Sequence, residues 1–181
     1  MINIRDIKTD PACQPDQHDL AVITAIYRHH VLNGTASFEI EPPSSSEMAT
    51  RMAQLLAGGY PILVAMHHNT LCGYAYAGPH KPRAAYNQTV EDSVYVSDDQ
   101  RGNGIGRQLL AQLIEAAAAR GYYQMMAVIG DSDNTASIGL HRALGFRHIG
   151  TAQEIGFKFG RRLDIVYMQR ALQSAPQSGS T

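Results

Sequence analysis

Cysteine is scarce in this sequence. Cys13 and Cys72 are the only two, they follow no metal-ligand spacing, and they build no disulfide framework. No metal is therefore expected, and a reducing cytoplasm is the expected compartment. Net charge is also lacking: 15 Lys and Arg against 16 Asp and Glu leave −1. That balance offers no global attraction to nucleic acid or to an anionic membrane, so neither partner is expected. No apolar run approaches the roughly 20 residues that span a bilayer. The opening MINIRDIKTD has no apolar core of a secretory signal. Tryptophan is absent altogether. What is present is ordinary for a soluble protein: 181 residues, 44% hydrophobic and 17% charged, enough for one domain with a real core. We expect that domain over 1–172, followed by a small, polar, disordered tail at 173–181.

Along the chain, MINIRDI alternates like a strand. Residues 16–32 read as a helix with Leu20, Ile23, Ile26 and Tyr27 on one stripe. Pro42 and Pro43 break the loop that follows. Ser46 is the expected cap of a second helix over 47–57, closed by Gly58 and Gly59. PILVAMHH and TLCGYAYAGP read as two strands joined by a turn, and TVEDSVYV as another after the basic loop KPRAAYNQ. A helix with Ile105, Leu109, Leu110, Leu113, Ile114 and Ala117 on its apolar stripe ends near Gly121. QMMAVIG is a buried strand, 134–144 a short helix, and FRHIGTAQEIG and RRLDIVYMQRAL two closing strands. Strands dominate and helices come singly, which is the pattern of a mixed α/β or α+β domain.

The most informative stretch is QRGNGIGRQLL. It sets Gly102, Gly104 and Gly106 at alternate positions just before a helix. Glycine is costly there unless the backbone must approach something closely. A helix start also offers unpaired N–H groups and the positive end of a dipole, so the pattern predicts an anion site, most simply for phosphate. A Rossmann loop needs G-x-G-x-x-G, and here the third glycine comes one residue early. A Walker loop needs Gly-Lys-Ser/Thr, which is missing. The spacing is instead Arg101-x-x-Gly104-x-Gly106. A glycine-rich turn that merely starts a helix would look the same.

In context, YVSDDQRGNGIGRQLL resembles the pyrophosphate loop of the GNAT family of N-acetyltransferases, and NTASIGLHRALGF resembles that family's later helix. GYAYAGPHKPRAAY, TVEDSVYV, AVIGDSDNTASIGLH and GFKFGRRLD resemble its phosphinothricin and methionine sulfoximine acetyltransferase subgroup. The resemblance implies a GNAT fold: a central mixed, mostly antiparallel sheet of about seven strands flanked by about four helices. It implies acetyl-CoA as co-substrate, a small amino-acid-like acceptor such as phosphinothricin, methionine sulfoximine or methionine sulfone, and a homodimer. One departure is plain. The subgroup carries tryptophan in K-x-G-x-W-x-D, and Arg162 stands in that place.

The resemblance also implies roles residue by residue. Acetyl-CoA would lie on Val94, Tyr95 and Val96, on Arg101, Gly102, Asn103, Gly104, Ile105, Gly106 and Arg107, and on Asn134 and Ser137. A backbone amide of the Val94–Val96 stretch would face the thioester carbonyl. Asn134 could equally be a helix N-cap. Glu91 is the candidate general base. Alternation sets it with Ser93 and Tyr95, and a carboxylate in mid-sheet is costly unless paired or used. Its neighbour Asp92 points the other way and is expected to be structural. His141 stands where many relatives have tyrosine, either as an acid or as a buried histidine bonded to a carbonyl. The acceptor would meet Phe38, Lys81, Arg83, Tyr86, Thr89, Val90 and Glu91. A guanidinium such as Arg83 can grip a carboxylate twice. Phe38 could also be core packing. Lys158 is read either as reaching the site or as an exposed strand charge. Two other functions fit the cofactor loop: acetylation of another amine or a protein N-terminus, and a non-catalytic acyl-CoA sensor.

Overall fold

The structure is a computed structural model that describes residues 2–7 and 17–173. Cys13, the expected helix start at Asp16 and the tail from 174 onward lie outside the described residues. In chain order the elements are β1 (Ile2–Asp6), α1 (Gln17–Asn33), α2 (Ser45–Ala57), β2 (Ile62–His67), β3 (Thr70–Pro79), β4 (Thr89–Val96), α3 (Ile105–Ala119), β5 (Gln124–Gly130), α4 (Thr135–Ala143), β6 (Arg147–Lys158) and β7 (Arg161–Ala171). The strands form one sheet in the order β1-β2-β3-β4-β5-β7-β6. Only β4 and β5 run parallel; every other neighbouring pair is antiparallel. Among the described residues, seven strands and four α-helices are what the sequence led us to expect.

Each face of the sheet takes its own helices. The α1 stripe buries Ile23, Ile26 and Tyr27 with α2's Met48 and Met52 against Val64, Tyr74 and Tyr95. On the opposite face α3 buries Leu109, Leu110, Leu113 and Ala117 against Ala75, Val90 and Met125. Side chains alternate across a strand, so β4 feeds both layers: Tyr95 packs under α1 and Val90 under α3. The cap of α2 is Ser44 rather than the expected Ser46. Ser44 lies three residues before Glu47, the reach of a reciprocal capping box, and both of its hydrogen bonds are made.

One irregularity positions the site. β4 and β5 pair only over Thr89–Glu91 and Gln124–Met126. Beyond that point β4 stays with β3 as far as Val96, while β5 stays with β7 as far as Gly130. The two strands therefore splay apart, and among the described residues no strand pairs with the open edge of β4 from 92 to 96. His30, at the end of α1, donates from Nε2 to the Val96 carbonyl at 3.0 Å and ties that helix to the end of β4. Burial holds its pKa below the ordinary histidine value, which suits a neutral donor.

Candidate functional site

The splay opens a cleft of about 720 Å³. Glu91 to Val96 form one wall, Val128 to Asp131 the other, and the start of α3, α4 and the segment 34–37 complete it. An extended molecule lying there would meet the free N–H and C=O groups of β4, as an added strand does.

At one end stands the glycine loop. Gly102 and Gly104 have φ of 81° and 75°, a conformation that side chains disfavour. Gly104 precedes α3 and brings no capping side chain, so the first amides of that helix are left for a ligand. Gly102 and Gly106 line the cleft. Ile105 is buried in the core beneath α3, so it has only its backbone to offer. Asn103 and Arg107 are exposed. Arg101 lines the cleft and pairs with Asp98 at 3.1 Å. Uncapped amides at a helix N-terminus beside an arginine have the charge and geometry to hold an anion.

Where the strands part stands Glu91. Its half-buried carboxylate meets His80 Nδ1 at 3.2 Å. Burial raises the Glu91 pKa above the ordinary carboxylate value; the bond and charge of His80 oppose that shift, and the Asp92 charge adds to it. A carboxyl raised in this way suits proton uptake near neutral pH. His80 carried no signal in the sequence. It follows the end of β3, and only the register Gly78 opposite Glu91 brings it close.

Asp92 and His141 form a pair across the fold that strand alternation alone did not reveal. Asp92 does point to the other face, but it lines the cleft and meets His141 Nε2 at 3.0 Å from Oδ1. His141 Nδ1 faces the Ser137 carbonyl at 2.7 Å. Both ring nitrogens thus face acceptors, which favours the imidazolium. Burial alone would lower the His141 pKa, but the Asp92 bond and charge, with the Ser137 carbonyl, outweigh it and hold it above the ordinary value. Asp92 Oδ2 is buried with no hydrogen-bond partner among the described residues. The expected alternatives for His141 merge, since it is carbonyl-bonded and also lines the cleft. Asn134 caps α4 by accepting from the Ser137 N–H at 3.2 Å, and both residues line the cleft.

The expected acceptor residues lie differently. Val90 is fully buried in the core under α3, because its parity on β4 turns it away from Glu91. Thr89 sits opposite Gln124 in the paired part of the strands, outside the cleft. Lys81, Arg83 and Tyr86 also lie outside it. Lys81 stands over the Tyr86 ring at 5.4 Å, that ring meets His80 edge-on at 5.9 Å, and Arg83 is exposed. Phe38 packs on backbone: a Cβ at Gly156 would fall 2.2 Å from its ring, and one at Gly130 2.8 Å. Lys158 is neither an exposed charge nor a cleft residue. It is 4% exposed and donates to the carbonyls of Gly34 at 2.9 Å and Ser37 at 2.6 Å. Arg162 is exposed on β7 opposite Phe157. The sequence reading missed Arg161, which lines the cleft and is held by the buried Asp131 carboxylate. Its only early signal was an acidic run, DSD, whose partner lies 30 residues away.

Residues 14–167 match the family model for the acetyltransferase (GNAT) domain. The chain is 52% identical over 156 residues to a phosphinothricin N-acetyltransferase of Alcaligenes faecalis, covering 86% of this chain and 79% of that protein. It is 48% identical over 165 residues to an L-methionine sulfoximine/L-methionine sulfone acetyltransferase of Pseudomonas paraeruginosa, covering 87% and 94%. The fold superposes on a crystal structure of the Sinorhizobium meliloti phosphinothricin acetyltransferase in complex with AcCoA, with a TM-score of 0.87 and 44% identity over 98% of this chain and 94% of that one.

Proposed function

The chain belongs to the GNAT acetyltransferase family, and from that premise we propose that it moves acetyl from acetyl-CoA to the amino group of a small amino-acid analogue such as phosphinothricin, methionine sulfoximine or methionine sulfone. The observation that carries this reading is the half-buried carboxylate of Glu91 where β4 and β5 part, beside a free strand edge and within one cleft with an uncapped helix terminus.

The cleft fits the co-substrate. The free edge from 92 to 96 suits an extended amide-bearing arm, the amides at the start of α3 suit its diphosphate, and Asp92 Oδ2 is a buried acceptor awaiting a donor. Acetyl-CoA supplies, when bound, an acyl group activated as a thioester. Glu91 takes the proton of the acceptor ammonium directly or through a water, and His80 holds its carboxylate in place. Transfer is direct: the amine nitrogen forms its bond to the acetyl carbon as the carbon–sulfur bond breaks, and the coenzyme A thiolate leaves as the thiol with the second proton of that nitrogen. The His141–Asp92 pair keeps its proton between two acceptors, so it orients the β4 wall and does not compete with Glu91 as a base. A substrate carboxylate is met by Arg161, already oriented by Asp131 and still half exposed. Lys81, Arg83 and Tyr86 stand on the loop behind His80 and bound the way to Glu91.

The same reading treats 1–172 as one catalytic domain set in the cytoplasm, where a free buried thiol such as Cys72 stays reduced. It also includes a homodimer. β6 is an edge strand whose Ile155 and Phe157 stand 54% and 68% exposed on one face, an apolar surface suited to a second copy.

The test is thiol release from acetyl-CoA across an amine panel: phosphinothricin, methionine sulfoximine, methionine sulfone, ordinary amino acids and a peptide with a free N-terminus. Turnover confined to the amino-acid analogues supports the proposal. Peptide turnover alone moves the enzyme to protein N-termini, and binding without release for every amine makes it a sensor. Esters of the best acceptor should react poorly; equal rates for ester and free acid would remove the role of Arg161.

A further inference from the structure

A buried ammonium outside the cleft is hard to explain by stability alone, because desolvating it costs more than two carbonyl bonds return in most settings. Lys158 is such a group. We infer that Lys158 is a positioning residue for the acyl acceptor: it locks the segment 34–38 as a strap across the split between β4 and β5. This rests on the proposed function above, in which the acceptor is met on the Glu91 side of the sheet.

The segment leaves α1, which is bound to the end of β4 through His30 and packs over Tyr95. It then crosses to the other side of the gap. The Thr35 carbonyl lies so close over Gly130, the end of β5, that a Cβ there would fall 2.0 Å from it. The Phe38 ring fills the notch left by Gly156 on β6. Between these anchors Gly34, Thr35, Ala36 and Ser37 line the cleft. Lys158 Nζ takes both the Gly34 and the Ser37 carbonyls. Those carbonyls bracket the strap and are held by a lysine that does not itself line the cleft, so the lysine fixes which groups of 34–37 are left to face a ligand. The Ser37 hydroxyl is set separately by Tyr27 at 2.9 Å, and Glu39 by Arg51 at 2.7 Å. The diphosphate end at the glycine loop receives none of these contacts. Lys158 should therefore act on the acceptor and leave the co-substrate alone.

Lys158→Met removes the donors, and Gly156→Ala drives out the Phe38 ring while the lysine remains. Each should raise the acceptor KM on the order of tenfold or more, as loss of charge-assisted bonds or anchoring does. The acetyl-CoA KM should hold, and amide hydrogen exchange across 34–38 should quicken. Lys158→Arg, which keeps charge and donors, should recover part of the acceptor KM. An unchanged acceptor KM with unchanged exchange at 34–38 would overturn the inference. So would a parallel loss of both KM values and thermal stability, which marks a purely structural lysine. If Lys158→Met does not fold, Gly156→Ala decides by the same two readouts. If the unmodified enzyme acetylates no amine, the functional reading fails by itself, and the exchange measurement alone decides whether Lys158 holds the strap.

Discussion

At the scale of single residues, environment separates two adjacent carboxylates. Glu91 is half buried beside a histidine, and its pKa is raised chiefly by burial. Ionising it is therefore harder in the folded protein than in the unfolded chain, and its charge at neutral pH opposes folding. Glu91→Gln should then hold or raise the melting temperature at neutral pH while turnover falls about a hundredfold to ten-thousandfold. The acid limb of the rate profile, set above the ordinary carboxylate range, should vanish with it. Near-normal turnover with an unaltered acid limb would show that the acceptor loses its proton to solvent. Asp92 behaves otherwise, because it is bonded to a histidine whose pKa is raised. That raised value makes the pair's contribution to stability complete below about pH 6.5, the unfolded value, and lost as pH rises through the folded one. Asp92→Asn, which breaks a buried pair, should cost about 3–5 kcal/mol near pH 6, where imidazolium and carboxylate are both charged, and less as pH rises. Denaturant melts at several pH values check this, and a pH-independent loss would remove the charged-pair reading.

At the scale of elements, the start of α3 is the sharpest feature. Positive φ at Gly104 means that a side chain there strains the backbone as well as blocking a ligand. Gly106 separates those effects. It is helical, and a Cβ would meet only Leu140 and Val96 at 3.7 Å, ordinary contact. Gly106→Ala should therefore leave the fold intact, since alanine is the better helix former. Coenzyme A affinity should drop on the order of tenfold, because the added methyl stands where the backbone approaches the diphosphate. Titration calorimetry with coenzyme A reads this directly. Full affinity in Gly106→Ala would place the diphosphate elsewhere.

At the scale of the molecule, β6 is an edge strand, and Ile149, Ile155, Phe157 and, in the turn after it, Phe159 are exposed. An apolar edge of this kind is covered in a stable protein or becomes a route to aggregation. Sedimentation should find a dimer that Phe157→Asp weakens, with the glycine loop, which follows the central strand β4 and not the β6 edge, unaffected. A monomer at micromolar concentration that stays soluble would show that this surface needs no second copy.

Much was determined by the sequence alone, and for a local reason. Strand alternation, helix stripes and glycine spacing are properties of neighbouring residues, so the seven strands and four helices of the described residues, and a glycine loop leading into α3, could be read without a structure. The capping serine was misplaced by two residues, because three serines in a row, Ser44 to Ser46, share one signal. The rest depended on contacts between distant parts of the chain. His80 reaches Glu91 through the β3–β4 register, Asp92 meets His141 across 49 residues, and Lys158 reaches Gly34 across 124. Periodicity assigns Asp92 to a face but cannot say what waits on that face. Only the tertiary structure decided that Lys158 is buried, that Val90 turns to the core, and that Arg161 rather than Arg83 lines the cleft, because each depends on where β4 and β5 part and on which segments close over the gap.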